Sequence, residues 1–467
     1  MDPMRLEEIT AATGGTLVGG SPTTCVRSVS TDTRTLRPGE LFIALEGERF
    51  DAHAFLNEAF ARGAAAAVVK KDHRQERKPL ILVENTTQAL QDVARASRAR
   101  YDCTVVAVTG SNGKTTTKDF IASLAARRFR VVKSEGSFNN HVGVPLTLLQ
   151  IDRTTDLAVV EIGMSAAGEI RALAAIARPQ VGVITNVNPA HLEFFESIAA
   201  IAEAKGELLD ALPDDGTAVL NADDAWVRRI GERWTGRRIT FGTSPEADVC
   251  LSPGTAGDSH IALRCFGGPE LHAVMPAPGR HNALNAAAAV AACCAIGMTP
   301  DEAVENFGDL RLPKMRFERH EWRGAILIND AYNANPESMR AALTTFAAMP
   351  VEGRRIVVCG EMRELGASSA ETHREIGRLV AEQGFDRLIS IGGQARIIVE
   401  SAVEHGLPSD CAEDCGDVEK STALLKKEIG PGDAVLIKGS RANRMERIVE
   451  ELIAAGRHGA ARAPSRT

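Results

Sequence analysis

Strand-length apolar runs set off by turn signals mark the start of the chain. Leu41 to Leu45, Ala64 to Val69 and Leu80 to Val83 alternate with helical stretches, which predicts a small α/β domain over residues 1–84. From 85 to 312 the strand candidates Thr104 to Thr109, Leu157 to Ile162 and Val181 to Val187 are interleaved with helical patterns, as in a parallel sheet covered by helices. Ala247 to Met275 departs from this rhythm. Its short mixed runs, broken by Pro253, Gly254, Gly257, Gly267 and Gly268, predict an antiparallel insertion. Over 313–456 the alternation returns, with strands expected at Ala325 to Asp330, Arg355 to Cys359, Leu388 to Ile391 and Ala434 to Ile437. This third region reads as a nucleotide-binding type of sheet without a glycine-rich fingerprint of its own. The basic, small-residue tail 457–467 is expected to fray.

Composition narrows the function classes. A length of 467 residues fits about three domains. The net charge of −7 gives no general attraction to nucleic acid, although a local basic cleft for an anionic substrate stays open. With 4% aromatic residues there is little material for stacking single strands. The nine cysteines form no CxxC framework and suit reduced thiols. Cys411 and Cys415 read as either a surface loop or half of a metal site. The N-terminal MDPMRLEEITAATGG carries acids and no apolar core, unlike a secretory signal, and no run reaches the roughly 18 apolar residues of a membrane span. A cytoplasmic monomer without membrane insertion is the expectation.

The chemistry is concentrated in VVAVTGSNGKTTTK, Val105 to Lys118. Apolar strand residues break into Gly110, Ser111, Asn112, Gly113, Lys114, Thr115 and Thr116, and helix-forming residues follow. Glycines allow a tight turn whose N–H groups face a polyphosphate, and the helix N-terminus adds partial positive charge. Lys114 reaches the β- and γ-oxygens, and the Thr115 hydroxyl is a ligand for Mg²⁺. Val108 stands where a general phosphate loop has glycine, so the strand and helix on either side carry the reading. ATP is the expected nucleotide. The next two strands end near Glu161 and His191, and strand C-termini line the ligand crevice of an open α/β sheet. A carboxylate and an imidazole there complete a candidate metal site, against the plainer readings of a strand-end salt bridge and a loop histidine.

With these stand Ala204 to Glu207 (AKGE), Pro278 to Asn282 (PGRHN) with Asn285, and Asp330 to Pro336 (DAYNANP). In that order across almost the whole chain they resemble the ATP-dependent Mur ligases of peptidoglycan synthesis. DTRTLRPGELFIALEGERFDAHAF, SFNNHVGVPLTLL, DAYNANPES and GEMRELG are most similar to the branch that joins D-alanyl-D-alanine to UDP-N-acetylmuramoyl-tripeptide. The sequence departs from the usual pattern at Ala52, His141 and Asn188.

The resemblance implies a three-domain architecture: 1–84 for the UDP-sugar, a central phosphate-loop ATPase over 85–312, and a Rossmann-like ligase domain over 313–456. It implies that ATP phosphorylates a peptide carboxylate and that the dipeptide amine attacks the acyl phosphate. Lys114 would meet the phosphates, Thr115 and Glu161 one Mg²⁺, and His191 a second metal position. Lys205 would be carbamylated and become an anionic metal ligand; read by itself, it is a helical surface lysine paired with Glu203 or Glu207. Asn285 would contact adenine, with His281 and Asn282 in the same wall, although asparagines at this spacing also cap helices. Arg316 would approach the γ-phosphate on closure and Asp330 a ribose hydroxyl, or the two form interdomain ion pairs.

Asn333, Asn335 and Ser338 are candidate dipeptide-side contacts. Lys438, Ser440 and Arg441 form a polar strand-end cluster for a carboxylate or phosphate. Ser30, Thr31, Asp32, Arg34 and Arg49 would hold the UDP-sugar end, Asp32 having an Asx turn as its other reading. Asn139 and Asn140, in the SFNN segment, belong to the substrate side. His373 reads as an exposed helical histidine and receives no catalytic role. Competing functions are another amino-acid-adding Mur ligase, a folylpolyglutamate synthetase-like ligase, a nucleotide-dependent regulatory protein, and a scaffold with a vestigial loop.

Overall fold

In a computed structural model, residues 1–47, 50–73, 78–189, 195–252, 254 and 259–460 are described, with 456–460 as backbone only. Arg49 and His191 lie outside the described residues. Three α/β sheets succeed one another along the chain, of five, nine and six strands. The five-stranded sheet runs in the order Thr16–Val18, Leu80–Val83, Ala66–Lys70, Leu41–Ile43 and Val29–Ser30.

The nine-stranded sheet carries the phosphate loop. Its order is Val131–Lys133, Leu157–Glu161, Thr104–Thr109, Val181–Ile184, Thr217–Asn221, Arg237–Gly242, Val249–Leu251, His260–Cys265 and Glu270–Val274. Val105 to Val108 are fully buried, which explains an unbroken apolar run: helices cover both faces, so neither face needs polar residues. Strand order reverses beside Thr104–Thr109, making its C-terminal end a switch point where flanking loops diverge and leave a crevice. The helix Arg280–Ala295 packs beside the phosphate-loop helix Lys114–Ala125. From Ala286 to Cys293 it is fully buried; small side chains let it lie inside the unit rather than on its surface.

The antiparallel pairing expected over Ala247 to Met275 is present, among Val249–Leu251, His260–Cys265 and Glu270–Val274, but the segment continues the main sheet instead of standing apart from it. Val249–Leu251 joins it to the main sheet by pairing in parallel with the preceding strand, Phe241 opposite Val249. In the six-stranded sheet the order is Glu318–Trp322, Ala325–Asn329, Ala434–Lys438, Arg355–Gly360, Arg387–Ile391 and Ala412–Gly416. The four strands expected here are present within one residue at either end. Its two edge strands were missed because they read ERHEW and AEDCG, and such charged segments lack the apolar signature of a central strand.

Candidate functional site

Gly110 and Gly113 have φ of +146° and +83°. A β-carbon at these positions would lie 1.9 Å from Thr185 Oγ1 and 2.2 Å from Asn285 Oδ1, respectively. Both turns therefore require glycine for conformation and for space. Neighbouring strand ends stitch the loop in place: the Ser111 N–H donates to the Asn186 carbonyl at 2.9 Å, and the Asn112 N–H to Asn186 Oδ1 at 2.8 Å. Lys114 opens the helix, its ammonium donating to the carbonyls of Gly110 at 2.9 Å and Ser111 at 3.2 Å. Burial lowers its pKa, opposed by Glu161 and reinforced by Arg316.

Beside the loop, Thr115 Oγ1 is 3.0 Å from Ser137 Oγ. Glu161 is 1% exposed; its Oε1 accepts from Asn139 Nδ2 at 2.7 Å, and its buried Oε2 has no hydrogen-bond partner among the described residues. Lys205, on the helix Ile198–Asp210, is 3% exposed. Burial first, and then the like charge of Lys114, drive its pKa well below that of an ordinary lysine. The surface-lysine reading is thereby corrected. Glu203 pairs with Arg233 at 2.9 Å, and Glu207 accepts the N–H groups of Gly168 and Arg171 at 2.7 and 3.0 Å.

Arg316 comes from the third region on a turn whose flanking residues Met315 and Phe317 have φ of +58° and +54°, conformations that cost non-glycine residues energy and persist only where neighbours enforce them. Here Met315 N–H donates to Glu318 Oε2 at 2.8 Å and Phe317 N–H to Asp330 Oδ1 at 3.0 Å. The guanidinium lies 4.2 Å over the Tyr332 ring and 3.4 Å from Thr115 Oγ1. Asp330 also pairs with Lys438 at 2.7 Å, and Lys438 donates to the Asn333 carbonyl at 3.1 Å.

A cavity of about 540 Å³ lies between the second and third sheets. It brings together Asn112, Gly113, Thr116, His281, Asn282 and Asn285 from one side with Arg316, Asp330, Ser338 and Lys438 from the other. Asn285 Oδ1 accepts from Thr117 Oγ1 at 3.4 Å, and Asn282 Nδ2 donates to the Pro278 carbonyl at 2.9 Å. Burial, with some contribution from Lys438, pushes the His281 pKa down to about 4. Lys114, Glu161 and Lys205 form the adjoining charged cluster, with Lys114 interacting with both of the others.

Several predicted residues are engaged in local structural contacts. Asn140 Oδ1 accepts local backbone N–H groups of Val142 and Gly143. Ser440 Oγ accepts the Arg363 N–H at 2.9 Å, while Arg441 pairs with Glu446 at 2.9 Å. Asn335 and Ser338 cap the helix Pro336–Ala348 reciprocally. In the first region Arg34 is paired with Asp32, whose Oδ1 also accepts the Arg34 N–H, so the Asx turn is present; Ser30 Oγ donates to the Asp32 carbonyl, and Thr31 is half-buried.

His373 is fully buried, not exposed. Its Nε2 accepts the Met362 N–H at 3.1 Å, and its Nδ1 is 2.7 Å from the Ser369 carbonyl. Cys411 and Cys415 are free thiols. Sequence reasoning gave no role to Ser137 or to Lys118, whose buried ammonium donates to the Ser134 and Gly136 carbonyls at 2.6 and 2.8 Å. Lys118 carried a usable signal, since it lies four residues after Lys114 on one helix face.

Three family models match successive parts of the chain: the Mur ligase family catalytic domain over residues 26–98, the Mur ligase middle domain over 108–293, and the Mur ligase glutamate ligase domain over 315–441. A Bacillus subtilis relative, UDP-N-acetylmuramoyl-tripeptide–D-alanyl-D-alanine ligase, is 36% identical over 92% of this chain and 94% of its own length. The chain belongs to the Mur ligase family. Solved Mur ligase structures agree with the three-sheet architecture. MurF from Acinetobacter baumannii superposes with a TM-score of 0.88 at 29% identity, covering 97% of this chain and 99% of that one. MurF from Thermotoga maritima, in complex with ADP, gives 0.80 at 30% identity, covering 92% and 99%. In this Mur ligase, the middle-domain match contains the phosphate loop, Glu161 and Lys205, and the glutamate-ligase match contains Arg316, Asp330 and Lys438.

Proposed function

We propose that this Mur ligase uses ATP to join D-alanyl-D-alanine to UDP-N-acetylmuramoyl-tripeptide, releasing ADP and phosphate and forming the pentapeptide precursor. The observation that carries the reading is the meeting of phosphate loop, buried carboxylate and Arg316 at one cleft, in a chain whose high-coverage relatives are named for this ligation.

A carboxylate is a poor acyl donor, so phosphorylation supplies a leaving group. The tripeptide carboxylate attacks the γ-phosphorus and ADP departs; the dipeptide amine then adds to the acyl carbon, and phosphate leaves with one former carboxylate oxygen. Positioning and charge stabilisation provide most of the acceleration of such transfers. Gly110 to Thr116 hold the phosphates, Lys114 neutralises them, and Arg316 opposes charge developing during transfer. His281, Asn282, Asn285 and Asp330 form the nucleoside wall.

The donor set fits Mg²⁺: Thr115 and Ser137 offer hydroxyl oxygens, and Glu161 has a buried carboxylate oxygen free of protein partners, the hard ligands this ion prefers. Bound there, the ion would supply positive charge for the phosphate oxygens. His191 is the further candidate ligand. Lys205 fits carbamylation because its depressed pKa favours the free amine that adds to CO₂; the resulting anion would sit beside Lys114.

Residues 1–84 take the UDP-sugar through Ser30, Thr31, Asp32, Arg34 and Arg49, 85–312 take ATP, and 313–456 receive the dipeptide beside Asn333, Ser338, Ser440 and Arg441. Among the described residues no helix is long and apolar enough to cross a membrane; the enzyme acts in the cytoplasm as a monomer. An acceptor panel tests the assignment. D-alanyl-D-alanine should support ADP formation on UDP-N-acetylmuramoyl-tripeptide, while single amino acids and glutamate on a folate should not. Preference for either of the latter would transfer the protein to another ligase class.

A further inference from the structure

Asn335 is held rigidly at the start of the helix Pro336–Ala348. Its Oδ1 accepts the Ser338 N–H at 2.9 Å, and its own N–H donates to Ser338 Oγ at 3.0 Å. This reciprocal cap assigns the oxygen to the helix and leaves Nδ2 directed away. Nδ2 donates to Asn112 Oδ1 at 2.7 Å, across a sequence separation of 223 residues.

Asn112 is fixed just as firmly in the phosphate loop. Its N–H donates to Asn186 Oδ1 at 2.8 Å, and its carbonyl accepts from Thr185 Oγ1 at 2.6 Å and Asn186 Nδ2 at 3.1 Å. The side-chain bridge thus joins two immobilised backbones. Arg316 supplies a longer second link, 3.4 Å from Thr115 Oγ1, so the third region touches the loop on both sides of Gly113.

We propose that Asn335 is a positioning residue that latches the third region onto the phosphate loop through Asn112. The latch makes loop geometry and helix position a shared property: fixing the loop around a nucleotide favours closure, and closure favours the fixed loop, by equal factors. The effect on dipeptide turnover rests on the ligase reading; the latch does not. One neutral hydrogen bond of this kind changes the closed-to-open ratio by about three- to tenfold.

The test uses the full chain, labelled with a donor–acceptor dye pair on its second and third regions. Asn335→Ser retains a good cap but removes the amide donor; Asn112→Ala removes the acceptor without touching the helix. With a non-hydrolysable ATP analogue, each variant should reduce the closed-to-open ratio about three- to tenfold, and the double variant should do no more than either single. Dipeptide turnover should fall in parallel. Closure like that of the parent in both single variants would overturn the latch, as would fully additive losses in the double variant. Melting curves check the cap, and if Asn335→Ser disturbs it, Asn112→Ala alone decides. Intact closure coupling without any dipeptide ligation by the parent protein would reject the ligase reading and leave the latch standing.

Discussion

Replacing Lys205 by methionine separates stability from activity, and the two should move in opposite directions. The side chain is 3% exposed, its pKa is depressed by burial and by Lys114, and its neighbours Glu203 and Glu207 are engaged elsewhere. Holding an ammonium there is costly. Methionine keeps a similar length and apolar stem, and relieving the burial of a polar amine is stabilising by about 1–3 kcal/mol. A gain of about 2 kcal/mol raises the melting midpoint of a unit of this size by roughly 4–8 °C. The appropriate measurement is thermal unfolding in CO₂-free buffer containing EDTA, where neither carbamate nor metal contributes. In Mg-ATP and bicarbonate the same variant should lose at least about 100-fold in turnover, roughly 3 kcal/mol of transition-state stabilisation. A variant that melts lower and turns over normally would refute both the burial cost and the role.

Arg316→Ala should reduce single-turnover phosphoryl transfer about 100-fold or more, with a much smaller change in ATP affinity; unchanged transfer would remove its assigned role. Gly113→Ala forces φ of +83° on an L-residue and drives its β-carbon against Asn285. Nucleotide titration and melting should both show a loss, with about 1–3 kcal/mol of stability removed, and Asn285→Ala in the same chain should recover only the collision part. His281 gives a pH signature. It remains neutral in the fold down to about pH 4, whereas the unfolded chain takes up the proton near pH 6.5. The contribution is complete above about pH 6.5 and is lost as pH falls toward 4, at up to about 1.4 kcal/mol per pH unit. Between pH 7 and 5, urea unfolding should therefore show about 2 kcal/mol more loss in the parent than in His281→Asn; equal losses would count against the burial of the neutral ring.

The parts of the fold legible in sequence were those whose burial leaves a local mark. Val105 to Val108 are covered on both faces and read as an apolar run, and the phosphate loop announces itself because its turns demand glycine. The edge Glu318–Trp322 was hidden by its charges, and the parallel pairing that ties Val249–Leu251 to the main sheet leaves no local mark. Tertiary packing decided the remaining cases. Nothing around Lys205 or His373 in sequence distinguishes a buried helical position from an exposed one, and the pairing of Asn112 with Asn335 has no local signature at all. Ser137 stood inside a segment already noted for its resemblance, but its approach to Thr115 depends on how that loop folds back on the helix.

The central claim is met most directly by incubating the purified protein with Mg-ATP and UDP-N-acetylmuramoyl-tripeptide, with and without D-alanyl-D-alanine, and following phosphate together with the mass of the nucleotide-sugar product. Sustained phosphate release that requires the dipeptide, matched one to one by a pentapeptide product, is the predicted result. ATP turnover without a change in product mass, or no dipeptide-dependent turnover with verified folded protein and both common tripeptides, would contradict it.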